Sequence, residues 1–184
     1  MPLFLVELVP TVRSRSGILA AVESLDRGLG DVGELIETQV SASAERAFAV
    51  VESANADALT HLCAQGLDGV AAITEPAAVR LVGADLADLK AARPGASHLV
   101  EWDLPEGLDM ETYLARKAAK TPLYDEVPEV SFLRTYVRED MVKCLCFYDA
   151  PDVDAVVRAR DVVSAPVNRL HSLSQGAITV GTAP

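Results

Sequence analysis

Apolar and polar positions alternate in two different ways along this chain, and residues 131–160 show both. Two segments rich in β-branched, aromatic and other apolar residues, 131–137 and 142–148, flank a polar turn at 138–140. Segments of this composition on either side of a short polar turn predict a β-hairpin. The second segment is almost entirely apolar, which indicates a strand in the middle of a sheet.

The spacing becomes helical directly after the hairpin. Pro151 cannot continue a central strand, and Asp152 is a suitable N-cap for a helix. The next positions recur every three or four residues, which places them on one face of a helix. These positions are Val153, Val156, Val157 and Arg160.

A weaker copy of this pattern lies in the first half of the chain. Three segments match in residue type and in order, at a constant offset of 97 residues. They are 35–40 with 132–137, 46–51 with 143–148, and 52–59 with 149–156. A strand-like segment precedes each copy, and a segment with a proline and an Arg-Leu pair follows each one. Agreement over several segments in the same order indicates an internal repeat.

Each copy also has a helix-like segment between its first strand and its hairpin. In the first copy, Ser14 or Ser16 can cap this helix. In the second copy, one helix face contains Met110, Leu114 and either Lys117 or Ala118. Each copy is therefore predicted to fold as β-α-β-β-α-β, which is the ferredoxin-like unit.

The predicted fold class is α+β, with two ferredoxin-like repeats in one chain. Both helices of such a unit cover the same face of its sheet, and the other face also needs cover. We therefore expect the two sheets to pack face to face as in a dimeric-type α+β barrel, with a cavity between them. The predicted boundaries are residues 1–83 for repeat 1, 84–97 for a linker, and 98–184 for repeat 2 with a C-terminal tail.

The net charge and the amino-acid composition limit the kinds of molecule that this protein is expected to bind. The formal net charge is −11, which argues against nucleic acids and anionic membrane surfaces. No apolar run reaches the length of a bilayer span. Three cysteines in 184 residues do not suggest a disulfide framework, so a cytoplasmic protein with reduced thiols is expected. The expected partner is a small molecule or a metal ion, and the expected state is a monomer or a homodimer.

The second repeat, over residues 98–173, resembles a bacterial family known as domain of unknown function 4242. The residues that carry this resemblance are Glu101 with Pro105, Tyr136-Val137, Asp140, Lys143-Cys144, Tyr148-Asp149-Ala150-Pro151 and Pro166-Val167-Asn168-Arg169. The first repeat keeps Glu7, Pro10 and Arg80 but has Ala47 in place of the cysteine. The resemblance implies a ferredoxin-like fold paired through its sheets. It also implies nickel binding, because a described member of the family is a nickel-binding protein. The family often has a histidine in the helix that follows the Ala-Pro pair, but residues 153–162 of this chain contain none.

A Cys-x-Cys pair is the first candidate for chemistry. Residues two apart in a strand lie on the same face, so Cys144, Cys146 and Tyr148 share a face. Two thiolates at this spacing suit a soft ion such as nickel, zinc or copper. The alternative is that both cysteines are small buried residues of the core.

Two glutamates occupy equivalent places in the first strands of the two repeats. A buried carboxylate without a partner is costly, so Glu7 and Glu101 are expected to face a shared cavity, a partner or solvent. In a cavity they could act in acid/base catalysis or as hard metal ligands. The alternative is an ion pair with Arg80, Arg169 or Lys143.

The remaining candidates are two histidines, an arginine and two tyrosines. His98 and His171 could act as metal ligands or proton carriers, or could be ordinary strand histidines. Arg169 suits a carboxylate or phosphate ligand, or a nearby aspartate as a structural partner. Tyr136 and Tyr148 are expected to line the cavity. The ligand-cavity candidates are thus Glu7, Glu101, Tyr136, Tyr148 and Arg169, and the metal candidates are Cys144, Cys146, His98, His171 and Glu101.

Three functions from different classes fit these residues. The leading one is a small-ligand or metal-binding protein, with nickel as the first metal to consider. The second is a cofactor-free enzyme of isomerase, cyclase or oxygenase type that acts on a small organic substrate in the inter-sheet cavity. The third is a dimerisation module without catalytic activity. Convergent polar groups around an open cavity would favour the first two.

Overall fold

The computed structural model describes residues 1–92 and 94–174. Arg93 of the predicted linker and the predicted C-terminal tail from residue 175 onward lie outside the described residues. The chain divides into two compact units. The first contains residues 1–79, 86–95 and the segment that begins at Leu173, and the second contains residues 80–85 and 96–172.

The first unit is an antiparallel sheet with helices in the order expected for a ferredoxin-like unit. Its elements are β1 (Leu3–Pro10), α1 (Arg15–Leu29), β2 (Glu34–Val40), β3 (Ala47–Glu52), α2 (Ala56–Gln65), β4 (Val70–Ile73), the first half of β5 (Ala77–Val82) and α3 (Leu86–Ala92). Strand β1 pairs with β3 along one edge, and with β4 and β5 along the other. Strand β2 extends the sheet beyond β3.

Capping residues fix where the helices of this unit begin. The Ser14 hydroxyl accepts a hydrogen bond from the Gly17 amide at the start of α1, and the Asn55 side chain accepts one from the Ala58 amide at the start of α2. Such bonds satisfy amides that have no partner within the helix. The inner faces of α1 and α2 bury Ile18, Leu25 and Leu59 in an apolar core.

The second unit repeats this order of elements. They are β6 (His98–Asp103), α4 (Met110–Lys120), a 3-10 helix (Thr121–Glu126), β7 (Ser131–Arg138), β8 (Lys143–Asp149), α5 (Val153–Val162) and β9 (Arg169–Ser172). The strands pair antiparallel in the order β7-β8-β6-β9. Helices α4 and α5 are capped by Asp109 and Asp152, whose carboxylates accept hydrogen bonds from the amides of Thr112 and Ala155.

The two faces of this sheet have different contents. Alternate residues of a strand point to opposite faces. Val100, Cys144, Cys146 and Tyr148 belong to the core that also contains residues of α4 and α5, so they occupy the helix-covered face. The residues that alternate with them along each strand occupy the opposite face, and Glu101, next to Val100, is one of these. The sheet thus separates two sets of candidate residues.

The predicted α+β class is confirmed, and so are most of the predicted elements. The first strands pair in the same register in both units, because Glu7 lies opposite Phe48 and Glu101 lies opposite Leu145. Two elements were not predicted, namely β4 and the 3-10 helix. None of the helices in the described part of the chain is long and apolar enough to cross a membrane.

Candidate functional site

Glu101 lies at the centre of a charged cluster on the face of the second unit's sheet that is opposite its helices. Its side chain is fully buried and accepts contacts from three basic side chains. Lys143 Nζ lies 2.6 Å from Oε2, and Arg169 Nε and His171 Nε2 lie 3.1 and 2.8 Å from Oε1. The pairing of the strands brings these side chains together. Strand β6, which contains Glu101, lies between β9 and β8. Arg169 lies directly opposite Glu101 on β9, and Lys143 is the first residue of β8.

The cluster keeps Glu101 ionised. Burial raises the pKa of this carboxyl, but the hydrogen bonds from His171 and Lys143 outweigh burial and hold its pKa far below the usual range. The pKa of Arg169 is raised in turn by its hydrogen bonds to Asp103 and Glu101. A carboxylate that stays charged is a poor proton donor or acceptor near neutral pH. Glu101 is therefore suited to an electrostatic role and not to acid/base catalysis.

The ion-pair alternative for the two glutamates matches the observed contacts. Glu101 pairs with Arg169 and Lys143, as that alternative proposed. Glu7 pairs instead with Arg46, whose Nη1 lies 2.9 Å from Oε2, and this partner was not anticipated. Among the ion pairs of the described residues, none joins Arg80 to Glu7 or Glu101. Arg80 binds the carboxylate of Glu139 instead.

The Glu101 cluster predicts a loss of stability in acid. A group whose pKa is lowered by folding stabilises the native state above its unfolded-state pKa, and this stabilisation is lost as the pH falls through the folded-state value. For Glu101 the contribution is complete above the ordinary value of 4.5 and declines below it. Denaturant melts from pH 7 to pH 2 should show this decline, and a Glu101→Gln variant should show less of it. An identical acid dependence in both proteins would contradict this assignment.

The helix-covered face contains a second polar cluster, built around the cysteine pair. Cys144 and Cys146 are fully buried, and their sulfurs lie 3.8 Å apart. Thr135 donates a hydrogen bond of 3.3 Å to the sulfur of Cys146, and Arg160 donates one of 3.5 Å. Lys117 in turn donates a hydrogen bond of 3.0 Å to the Thr135 hydroxyl.

The two thiols of this cluster differ in acidity. The hydrogen bond between them and burial raise the pKa of Cys144. The pKa of Cys146 is lowered by the hydrogen bond from Cys144, and its neighbours Arg160 and Lys117 lower it further against the opposing effect of burial. If the pair loses a proton, the neighbouring cations Arg160 and Lys117 favour its loss from Cys146.

A cavity of about 150 Å³ lies beside this cluster. Its walls come from β6, α4, the 3-10 helix, the end of α5 and the loop that follows α5. Three aromatic side chains line it, Trp102, Tyr113 and Tyr124. Four basic side chains line it as well, Arg116, Lys117, Lys120 and Arg160.

Within the described residues, the basic side chains around the cavity form no close ion pairs, and three of them donate hydrogen bonds to neutral groups. Lys120 donates to the carbonyl of Val163, and Arg160 donates to the hydroxyl of Tyr148 and the carbonyl of Pro166. Within residues 1–92 and 94–174, no carboxylate forms an ion pair with any of the four. The Nε of Arg160 is buried and has no hydrogen-bond partner among the described residues.

The Arg160 guanidinium is held firmly in place. Its residue is 2 % exposed, and the guanidinium lies 5.5 Å from the ring centre of Trp102, within the range of a cation–π contact. Buried charges are normally paired because desolvation is expensive. Four basic side chains line the cavity, and no acidic side chain is among its lining residues. The cavity is therefore electrostatically suited to an anion.

The structure divides the predicted site residues between the two faces of the sheet. Glu101, Arg169 and His171 meet on the face opposite the helices, whereas Cys144 and Cys146 lie beneath the helices. The five metal candidates therefore do not form one site. No group of three or more His, Cys, Asp or Glu side chains in the described part of the chain could hold a metal ion.

His98 and the two tyrosines also occupy separate places. The Nδ1 of His98 forms a hydrogen bond of 2.9 Å with the Ser97 hydroxyl, and burial lowers its pKa. Tyr136 lies opposite Leu145 on the sheet face away from the helices and packs against Phe147. Tyr148 lies on the helix-covered face with the cysteines. The structure thus corrects the expectation that Tyr136 and Tyr148 line the same cavity.

The basic residues of the cavity were not among the predicted site residues. Their sequence signal was nevertheless present. Arg160 and Lys117 both fall on the apolar stripes of helices, four residues after Val156 and three after Leu114 respectively. Burying a cation on the inner face of a helix costs free energy. A basic residue at such a position therefore indicates a specific structural or functional role.

A comparison with protein families gives one match in the second unit. Residues 98–173 match the family described as "Nickel responsive protein SCO4226-like". The match covers less than half of the chain. No curated protein matches the chain.

Solved structures of similar architecture extend over nearly the whole chain. A proposed chlorite dismutase is 11% identical, with 95% of this chain and 96% of that chain covered and a TM-score of 0.51. Proposed monooxygenases from Lactobacillus acidophilus and Fusobacterium nucleatum are each 10% identical. Each of these two alignments covers 97% of this chain. The alignments cover 94% and 92% of the two monooxygenase chains, with TM-scores of 0.49 and 0.48 respectively. At these identities the likeness to the first structure shows a shared α+β fold and nothing about activity.

Proposed function

We propose that this protein binds a small organic anion in the cavity of its second unit. The observation that carries this proposal is the buried Arg160, whose Nε has no partner in the described residues although the side chain lines the cavity. A carboxylate is a natural complement, because it accepts two parallel hydrogen bonds from one guanidinium. Lys117, Lys120 and Arg116 add positive charge to the same walls.

The size and the lining of the cavity favour a ligand with one ring. A volume of about 150 Å³ is large enough for a benzene ring. Tyr113 and Trp102 contact each other at a centroid distance of 6.0 Å, and both line the cavity together with Tyr124. Aromatic walls with a few fixed polar groups are typical of small-molecule sites. The proposed ligand class is therefore an aromatic carboxylate.

The described residues do not fit nickel, although the family matched by residues 98–173 is called nickel responsive. A cation at Glu101 would meet Lys143, Arg169 and His171, which already occupy both carboxylate oxygens. A divalent ion at the cysteine pair would lie next to Arg160, whose Nη1 contacts one of the sulfurs. Both donor sets are thus surrounded by positive charge, and the proposal assigns no step to a metal.

The cavity belongs to the second unit alone in this proposal. We interpret the two units as copies of one ancestral unit, since their strands share order and register. At the positions that correspond to Cys144, Cys146 and Arg160, the first unit has Ala47, Ala49 and Cys63. The first copy then retains an apolar core, and the proposed anion site lies in the second copy.

Calorimetric titration with benzoate, salicylate and phenylacetate tests this proposal. At least one of these anions should bind with a stoichiometry of one per chain. The matching neutral amide should bind at least tenfold more weakly, because a charge-assisted hydrogen bond contributes about 1.5–3 kcal/mol. Acetate is the control for charge without a ring. Equal affinity for the acids and their amides, or no binding by any of the acids, would overturn the proposal.

A further inference from the structure

The sulfur of Cys146 has an environment that goes beyond what anion binding requires. It is 1 % exposed and accepts hydrogen bonds from Thr135 and Arg160. A second sulfur, that of Cys144, lies 3.8 Å away. Thiolate, and not thiol, is the reactive form of cysteine, and neighbouring cations favour it. These contacts therefore arrange one activated sulfur beside a second one that can react with its oxidised form.

We propose that Cys146 reacts with hydroperoxides and that Cys144 resolves the product to a disulfide. This inference does not depend on the anion proposal, because it concerns the sulfurs and not the contents of the cavity. The lowered pKa of Cys146 and the raised pKa of Cys144 agree with the roles of nucleophile and resolving thiol. Redox-sensitive cysteines are commonly found next to such a resolving cysteine.

The first step consumes one hydroperoxide. The Cys146 thiolate attacks the outer oxygen of the peroxide, a sulfur–oxygen bond forms, and the oxygen–oxygen bond breaks. Sulfur is oxidised to a sulfenic acid, and the peroxide is reduced to an alkoxide, or to hydroxide when the reactant is hydrogen peroxide. The leaving oxygen takes a proton from the Lys117 ammonium, whose Nζ is hydrogen-bonded to Thr135 at 3.0 Å and whose pKa is lowered by burial.

The second step closes the disulfide. The Cys144 sulfur attacks the Cys146 sulfenic acid, a sulfur–sulfur bond forms, and one water leaves with the thiol proton. In total, two thiols and one hydroperoxide give one disulfide, one alcohol and one water. Residues two apart in a strand have Cα atoms about 6.4–6.8 Å apart, which is near the upper limit for a disulfide. Such a bond is strained, so it should be reduced easily by dithiols.

The wall of the cavity and the thiol cluster share side chains. Tyr113, Lys117 and Arg160 line the cavity, and Arg160 also contacts Cys146 directly. Tyr113 forms a hydrogen bond with Cys144. The proposed route for a small peroxide therefore runs from the cavity past these shared side chains to the sulfurs. This access favours hydrogen peroxide and small alkyl hydroperoxides over larger ones.

The chain contains its own control, Cys63. This third cysteine is also buried, but only burial acts on it, which raises its pKa to about 11. It also lies in the other unit. A difference in reactivity between Cys63 and Cys146 therefore reports the local arrangement and not burial in general.

The test is thiol mapping by mass spectrometry after exposure of the native protein to hydrogen peroxide or tert-butyl hydroperoxide. The peptide that contains Cys144 and Cys146 should lose 2 Da at least tenfold faster than Cys63 is modified. Dithiothreitol should reverse the change. In a Cys144→Ser variant, Cys146 should instead be trapped by dimedone as a sulfenic acid. Oxidation of the pair no faster than Cys63, or no dimedone adduct in this variant, would overturn the proposal.

Two variants on helix α5 separate the role of Arg160 from general damage. Arg160→Lys should slow oxidation of the pair about tenfold, because an ammonium replaces the guanidinium that contacts the sulfur. Arg158→Lys is the matched control, since Arg158 is exposed and pairs with Glu129. Its oxidation rate should equal that of the wild type. An equal rate in both variants would contradict the assigned role of Arg160, and the wild-type comparison with Cys63 remains decisive if Arg160→Lys does not fold.

Discussion

Replacing Glu101 by glutamine is expected to lower the free energy of unfolding by about 3–5 kcal/mol. Glutamine has nearly the same shape, so the change removes charge and leaves the packing intact. Lys143 is 12% exposed at its side chain, and it would remain largely buried without its negative partner. Removing one member of a buried charge cluster costs this much because the remaining charges stay desolvated.

Asp103→Asn provides the matched control for this experiment. Asp103 also pairs with Arg169, but its side chain is 47% exposed. Exposed ion pairs contribute no more than about 1 kcal/mol, so this variant should lose little. Urea melts of both variants and the wild type would measure the difference. Similar losses for the two variants would show that burial does not set the strength of the Glu101 cluster.

Replacing Arg160 by glutamine is expected to weaken aromatic carboxylate binding by at least a hundredfold. Truncating one member of a buried, hydrogen-bonded charge pair in a complex costs about 2–5 kcal/mol, and about 1.4 kcal/mol corresponds to a factor of ten in affinity. The binding constant of the tightest carboxylate from the titrations, measured again with the variant, checks this expectation.

The effect of Arg160→Gln must be separated from any loss of folding. The variant removes donors to Tyr148 and Pro166, so thermal melts should accompany the titrations. Arg158→Gln, two residues away on the exposed face of α5, should bind like the wild type. Lys117→Gln should weaken binding by a smaller factor, since its ammonium lines the cavity but also contacts Thr135. Unchanged affinity in a folded Arg160→Gln variant would contradict the assigned site.

Local signals made the hairpin and its helix predictable. Pro151 and Asp152 mark the end of β8 and the start of α5, and each acts through its own backbone geometry or capping bond. Strand β4 was missed because it has only four residues and follows a glycine with positive φ. Short strands of this kind form through pairing with a neighbour, here β1, and their own composition is a weak signal.

The contents of each sheet face were only partly predictable. The rule that residues two apart share a face correctly grouped Cys144, Cys146 and Tyr148. It could not relate Tyr136 to them, because that depends on the register between two strands. The register shifts between Phe132 and Arg134, and an irregularity of this kind changes which residues share a face. Cross-strand register is a tertiary property.

The anion cavity was the least predictable part of the site. Its walls combine residues from four separate segments of the chain. No local sequence motif therefore predicts the cavity. The informative observation was a cation on the apolar face of a helix, at Lys117 and again at Arg160. Sequence shows that such a residue is unusual, but only the structure shows that both point to one place.

Nuclear magnetic resonance of the Arg160 side chain tests the central proposal most directly. The Nε–H signal of Arg160 can be assigned by its disappearance in the Arg160→Lys variant. The proposal predicts that the tightest-binding carboxylate shifts this proton downfield in a saturable way, because the unpartnered Nε gains a charge-assisted hydrogen bond. The matching amide should produce a smaller shift. An Nε–H signal that stays unchanged while the carboxylate saturates the protein would show that the anion binds elsewhere.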